Sequence, residues 1–165
     1  MGPYPKSEKQ NQYVIVVVDM LTKFVHAKAT ETQQSFVLVE FLKEIFMYTG
    51  VPKTVQSDQG RNLLSEEFEE FLGSKNIEHR YSSPYHPETN GQMERTNRTL
   101  GQTIRKLCDE EPEKWDEKLR EAVFSVNSSV NRSTGKTPQE LVFRYRPRAP
   151  VHNELGEAIR LSIPN

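Results

Sequence analysis

A chain of 165 residues is long enough for one domain with its own core. Hydrophobic residues make up 35% and charged residues 27%, a globular composition, and no apolar run approaches the length of a membrane span, so no membrane partner is expected. A net charge of −1 gives no global basic field, so any nucleic-acid surface has to come from local clustering, or from a metal ion standing between acid and phosphate.

The opening MGPYPKSEKQ lacks the apolar stretch of a secretory signal, and Lys6 stands where a myristoylation signal needs Ser or Thr. YVIVVVD (13–19) is a β-branched run that predicts a strand buried on both faces. KFVHAKA (23–29) alternates after a short turn and predicts a hairpin partner. Thr32 opens a predicted helix to about residue 49, with Phe36, Val39, Phe41, Leu42, Ile45 and Phe46 as core candidates and Gly50 and Pro52 as its stop. KTVQS (53–57) predicts a short strand running into SDQG. Ser65 is the expected N-cap of EEFEEFLG, ended by Gly73, and NIEHRY (76–81) predicts the next strand.

After the loop SSPYHPE, Thr89 and Gln92 suggest a capping box for a long helix over about 90–109. Met93, Leu100, Ile104 and Leu107 form its apolar stripe, and Glu94, Arg98, Gln102 and Arg105 the opposite one. A helix over about 113–130 presents Trp115, Leu119, Val123 and Val126 to the core. Thr137 and Glu140 frame a second capping box, with Pro138 at the first helical position. The order β-β-α-β-α-β-α-α-α predicts an α/β fold with a small mixed sheet, with residues 1–150 as the domain and 151–165 as a tail. The single Cys108 excludes an internal disulfide and fits a reducing interior, nuclear or cytoplasmic, and the scattered His26, His79, His86 and His152 give no zinc spacing.

Two carboxylates carry the chemistry. Asp58 follows a strand, at the end where ligand sites gather in α/β sheets, and the turn Gln59-Gly60 leaves it exposed. Glu94 lies early in the long helix, and the intervening helix, strand and loop can return the chain to Asp58. Such acids, with phosphate and water, suit octahedral Mg²⁺, and a pair of such ions suits phosphodiester chemistry. Arg95, Arg98 and Arg105, with Asn90, Gln92 and Asn97, are candidates for phosphates or base edges, and Tyr85 for stacking on a splayed base. Each has a plainer reading. SDQG alone is a turn, Glu94 a helix-dipole complement, the Arg and Asn residues a solvated face, Tyr85 a loop anchor and His86 a loop hydrogen-bonder.

Taken together, GPYPKS (2–7), YVIVVVDMLTKF (13–24), GVPKTVQSDQGRNL (50–63), YSSPYHPETNGQMERTNRTL (81–100), Trp115 with Leu119 and TGKTPQELVFRYRPRAP (134–150) resemble the catalytic core of retroelement integrases, above all the gypsy-type retrotransposon branch. The resemblance implies a ribonuclease H-like mixed sheet flanked by helices and a two-ion Mg²⁺ or Mn²⁺ site. It also implies 3′-end processing of element DNA followed by strand transfer into target DNA. By the same likeness Asp58 and Glu94 are the second and third metal-binding acids. Asn90 falls where the family touches donor DNA, with Arg95 and Arg98 as further DNA contacts. A homo-oligomer built through core helices is implied, with Trp115 and the 113–130 helix as candidates, although Trp115 also reads as core.

The family's first catalytic Asp lies in a strand just ahead of its GPxP motif, which here is MGPYP, so that Asp is expected just upstream of Met1. Asp19 matches a different position, at the far end of the next strand. At about 3.3 Å per residue it falls roughly 20 Å from the catalytic end of an antiparallel first strand, so it is expected to cap the hairpin turn. The fold is therefore expected to lack its first, central strand and to leave a sheet edge unpaired, with reduced stability, weak metal binding and poor catalysis. The family's zinc-binding and C-terminal DNA-binding modules are likewise not in this sequence. Two other readings stand beside a transferase core: a domesticated, non-catalytic DNA- or protein-binding remnant, and a plain ribonuclease H-type hydrolase, which would not carry the PYHPxTNGQxER block.

Overall fold

A computed structural model describes residues 1–81, 87–108 and 111–145, with the side chains of residue 61 and residues 87–90 outside the description. Among the described residues four strands and five α-helices follow in the predicted order: β1 Tyr13–Val18, β2 Val25–Thr30, α1 Ser35–Thr49, β3 Thr54–Ser57, α2 Glu66–Ser74, β4 Glu78–Tyr81, α3 Pro87–Cys108, α4 Trp115–Ser128 and α5 Pro138–Phe143. Met1–Val18 and Val25–Val126 make one compact unit; Asp19–Phe24 and the chain from Asn127 onward make a second.

In the first unit β1 and β2 pair antiparallel, Tyr13 opposite Thr30 and Val18 opposite Val25. β3 and β4 pair parallel, Thr54 opposite Glu78 and Ser57 opposite Tyr81. The two ladders are separate two-stranded sheets. The β-branched run of β1 is apolar on both sides because helices cover both. Ile15 and Val17 pack, with Val55, on the cluster from α1 and α2 that holds Leu38, Leu42, Ile45, Phe68 and Leu72. Val14 and Val16, with Ala27 and Ala29 of β2, pack on Leu100 and Ile104 of α3 and Trp115, Leu119 and Ala122 of α4. Fully burying one such side chain is worth about 1.5–3 kcal/mol, so these two layers hold the strands in place.

Among the described residues, the edge of β1 away from β2 is met only at its start. Met1 and Val14 exchange backbone hydrogen bonds, and Tyr4 N donates to Gln12 O at 2.7 Å. Antiparallel alternation turns Val16 and Val18 toward the same edge, where no described strand pairs. Gly2 belongs to this approach, since a Cβ there would sit 2.6 Å from Gln12 O.

Several boundaries differ from the sequence reading. α1 starts at Ser35 with Gln34 as an N-cap lacking a side-chain bond, so Thr32 does not open it. Phe36, expected in the core, is 50% exposed, and Leu38 is buried in its stead. α2 has the Ser65 cap, which accepts from Phe68 N, but it runs through Gly73. Its stop is Asn76 at φ 54°: Ile77 N reaches Leu72 O and Asn76 N reaches Gly73 O, the paired bonds of a Schellman ending. α3 begins at Pro87, so Thr89 lies inside the helix and is not its N-cap. α4 begins at Trp115 after a 3-10 turn over Pro112–Lys114.

In the second unit, Asp19 N donates to Phe24 O and Lys23 N to Asp19 O, closing the hairpin turn. α5 carries the expected capping box, with Thr137 Oγ1 accepting from Glu140 N at 3.1 Å and Glu140 Oε2 from Thr137 N at 3.0 Å. Residues 151–165, expected to be a tail, lie outside the described residues.

Candidate active site

Asp58 leaves the carboxyl end of β3 into a tight turn and is exposed. Its Oδ1 accepts from Gly60 N at 3.0 Å, and Gly60 O in turn accepts from Leu63 N and Leu64 N to start the 3-10 turn Arg61–Leu63. Gly60 suits the turn because a Cβ there would lie 3.1 Å from Asp58 Oδ1 and 3.0 Å from Asn62 Oδ1. Ser57 Oγ donates to Asp58 O at 2.8 Å, which fixes the backbone that carries the acid. The α-ammonium of Met1 lies close enough to feel the Asp58 charge. Burial pushes that ammonium below its ordinary value, and Asp58 opposes the shift.

Glu94 stands on the exposed face of α3 with Arg98, Gln102 and Arg105, as the helical spacing predicts. Its Oε1 accepts from Arg98 Nη2 at 2.8 Å, in an i,i+4 pair whose side chains are 72% and 63% exposed. So open a pair is worth about 0.3–0.5 kcal/mol and gives way readily to a phosphate or a cation. Arg95 is exposed beside it and Gln92 is half-buried. Asn90 lies within α3 with its side chain outside the described set, and Tyr85 and His86 lie wholly outside it. Asn97, expected on the nucleic-acid face, turns inward one helical turn after Glu94, and its Oδ1 is buried without a hydrogen-bond partner among the described atoms.

Asp19 takes the role expected of it. Its carboxylate accepts from Leu21 N at 3.3 Å, Thr22 N at 3.1 Å and the Thr22 hydroxyl. Burial raises its pKa, but these bonds and Lys23 together outweigh burial and leave it below the usual carboxylate value. Trp115 is core. It is 1% exposed, stacks on Tyr4 at 4.7 Å, and donates Nε1–H to Pro5 O at 2.7 Å, which removes it as an oligomer contact.

Among the described residues no group of three or more His, Cys, Asp or Glu lies close enough to hold a metal ion. Asp58 and Glu94 share no hydrogen-bond partner: Gly60 serves one and Arg98 the other. The donor chemistry still fits a hard divalent cation, since both are exposed carboxylates, and the orphaned Asn97 Oδ1 marks a polar space beside α3 in want of a donor. A groove of about 600 Å³ lined by Gln33, Gln34, Ser35, Phe36, Asn62, Ser65 and Glu67 contains none of the predicted site residues. What sequence reading missed is the set around Ser57. His79 Nε2 lies 2.8 Å from Ser57 Oγ and His79 Nδ1 2.6 Å from Glu69 Oε1.

The profile of the family described as "Integrase core domain" matches residues 2–87, which include β1 through β4 and Asp58. The chain belongs to the integrase core domain family. Among its relatives are the Pro-Pol polyprotein of feline foamy virus, 34% identical over 156 residues that cover 93% of this chain and 13% of the relative, and the transposon Tf2-3 polyprotein of Schizosaccharomyces pombe, 31% identical over 147 residues that cover 87% and 11%. The chain thus spans roughly an eighth of the curated relatives it matches. A cryo-EM structure of the simian T-cell lymphotropic virus intasome in complex with PP2A regulatory subunit B56 gamma aligns with a TM-score of 0.72 and 27% identity, over 89% of this chain and 53% of that one. The HTLV-2 integrase catalytic core domain in complex with magnesium (trimeric form) aligns with a TM-score of 0.67 and 24% identity, over 85% of this chain and 98% of that one, and speaks for the fold alone. The integrase core fold is ribonuclease H-like α/β, the class expected from the sequence, and DNA integration is the family's work.

Proposed function

We propose that this integrase core performs metal-dependent phosphodiester transfer, 3′-end processing and then strand transfer of element DNA into target DNA, once a third carboxylate is supplied from the segment ahead of Met1. The observation that carries this reading is the position of Met1. Its backbone is bonded to Val14 on the open edge of β1, and its nitrogen lies within electrostatic reach of Asp58. This bridge and this electrostatic contact support the reading that a strand placed ahead of Met1 could bring a further metal-binding acid to the Asp58 side. Asp58 and Glu94 would hold Mg²⁺ or Mn²⁺, which when bound supplies charge to activate the attacking oxygen and stabilise the leaving one.

The chain's own side chains do the rest. Gly60 N–H and Ser57 hold Asp58 in place. Arg98 neutralises Glu94 in the free protein and is available to a DNA phosphate when a cation takes its place. Arg95 offers a second phosphate contact from the same helix face, and Asn90, Gln92 and Tyr85 are proposed as further DNA contacts. Element ends and target DNA are the partners, and a homo-oligomer is the working form, in a nuclear or cytoplasmic setting.

The second reading, a domesticated DNA- or protein-binding remnant without catalysis, is favoured by there being no group of three or more His, Cys, Asp or Glu among the described residues that could hold a metal ion. Strand-transfer assays on a chain extended upstream through the family's first Asp separate the two. The catalytic reading expects Mn²⁺-dependent joining that Asp58→Asn and Glu94→Gln each abolish. DNA binding without joining in the extended chain contradicts it.

A further inference from the structure

The four side chains around the end of β3 form a continuous hydrogen-bonded chain that ends on the Asp58 backbone. Tyr81 OH donates to Glu69 Oε1, and the same oxygen faces His79 Nδ1 at 2.6 Å. His79 Nε2 faces Ser57 Oγ at 2.8 Å, and Ser57 Oγ donates to Asp58 O at 2.8 Å. Most of this is built into the fold. His79 is 5% exposed at its side chain, with its ring edge-on to Phe68 at 5.2 Å and tilted against Tyr81 at 4.4 Å. The parallel register sets Val55 opposite His79 and Ser57 opposite Tyr81, and the ring lies against Ser57, the last residue of β3.

We infer that His79 is a positioning residue for Asp58, holding the acid's backbone through Ser57 and being held in turn by Glu69 and Tyr81. The proton inventory supports this direction. A hydroxyl has one hydrogen, and that of Ser57 goes to Asp58 O, so Nε2 of His79 is the donor to Ser57. On its other side Nδ1 lies 2.6 Å from Glu69 Oε1, so the ring is held at both nitrogens. The bonds of Glu69 to Tyr81 and His79 keep its carboxyl below the usual range. The arrangement superficially matches a Ser-His-acid nucleophile, but the Ser57 proton is committed to a carbonyl and not to the ring, so its work is mechanical.

This inference rests on the reading of Asp58 as a metal ligand only for its consequence, and the test separates the two. In the full chain, the Gly60 amide, which donates to Asp58 Oδ1, reports the carboxylate's position by ¹H–¹⁵N correlation without any metal. Ser57→Ala and His79→Phe are expected to move that amide, Ser57→Thr to restore it, and the double variant to move it no further than either single one. Mn²⁺ titration followed by water-proton relaxation is expected to show affinity reduced by about tenfold in the same variants. An unmoved Gly60 amide in folded Ser57→Ala, or additive effects in the double variant, overturns the positioning role. If the amide moves while Mn²⁺ affinity is the same in wild type and Asp58→Asn, the role stands and the metal assignment falls. Should His79→Phe fail to fold, Ser57→Ala with Glu69→Gln decides the matter by the same amide.

Discussion

Met1 and Val14 exchange two backbone hydrogen bonds, Met1 N to Val14 O at 2.7 Å and Val14 N to Met1 O at 3.0 Å, and so form one antiparallel bridge on an edge that no strand among the described residues otherwise pairs. A strand added ahead of Met1 would be able to continue that bridge along Val16 and Val18. Such a strand would give β1 a second neighbour.

A chain extended upstream is therefore expected to melt higher. For a protein of this size each kcal/mol of added stability raises Tm by about 2–4 °C, and a paired strand with both faces covered is expected to add at least that much. Calorimetry of the two forms checks this, and equal melting temperatures speak against it.

Trp115 should behave as core and not as interface. Trp115→Ala is expected to cost about 3–5 kcal/mol, since the site is closed by Tyr4, Leu119 and Ile104 and cannot fill itself. Trp115→Phe, which loses chiefly the bond to Pro5 O, should cost much less, with about 1 kcal/mol from that bond. Urea denaturation measures both, and light scattering on the Phe variant should show the wild-type oligomeric state.

Asp19 supports the hairpin turn in a pH-dependent way. Its folded pKa lies below the ordinary 3.8, so the bonds from Leu21 and Thr22 contribute stability that is fully present above the ordinary value and is lost as pH falls through the folded one. The Tm difference between wild type and Asp19→Asn should be constant at neutral pH and close in acid. A difference that persists unchanged into strong acid would contradict the assignment.

The exposed Glu94–Arg98 pair should matter little to folding and much to DNA. Arg98→Ala is expected to change stability by no more than about 0.5 kcal/mol, while lowering the salt dependence of DNA binding by about one phosphate's worth of counterion release. Titrations at several salt concentrations read this directly.

The order of elements was legible because each carries its own local chemistry: the β-branched run at 13–18, the Ser65 cap, the Thr137–Glu140 box. The misplacements have physical causes. Gly73 is the usual terminator, but Asn tolerates the left-handed region, and Asn76 lets Ile77 N reach back to the Leu72 carbonyl. Thr89 and Gln92 are spaced like a cap, yet Pro87 suits a first helical position, and the helix starts there. Phe36 and Leu38 exchange roles because the face of α1 that meets β1 is set by tertiary packing. Asp58 and Glu94 were legible as isolated carboxylates on the right kinds of element. The set Ser57–His79–Glu69 was not, since it exists only through the parallel register of β3 on β4, which no local pattern encodes.

The most direct test of the account is Mn²⁺ affinity in the upstream-extended chain, compared across Asp58→Asn, Glu94→Gln and Asp19→Asn. The account predicts that the variants at 58 and 94 each lose most of the binding, that combining them loses little more, and that the variant at 19 binds as wild type does. Undiminished binding in either of the first two, or a loss in the third, would contradict it.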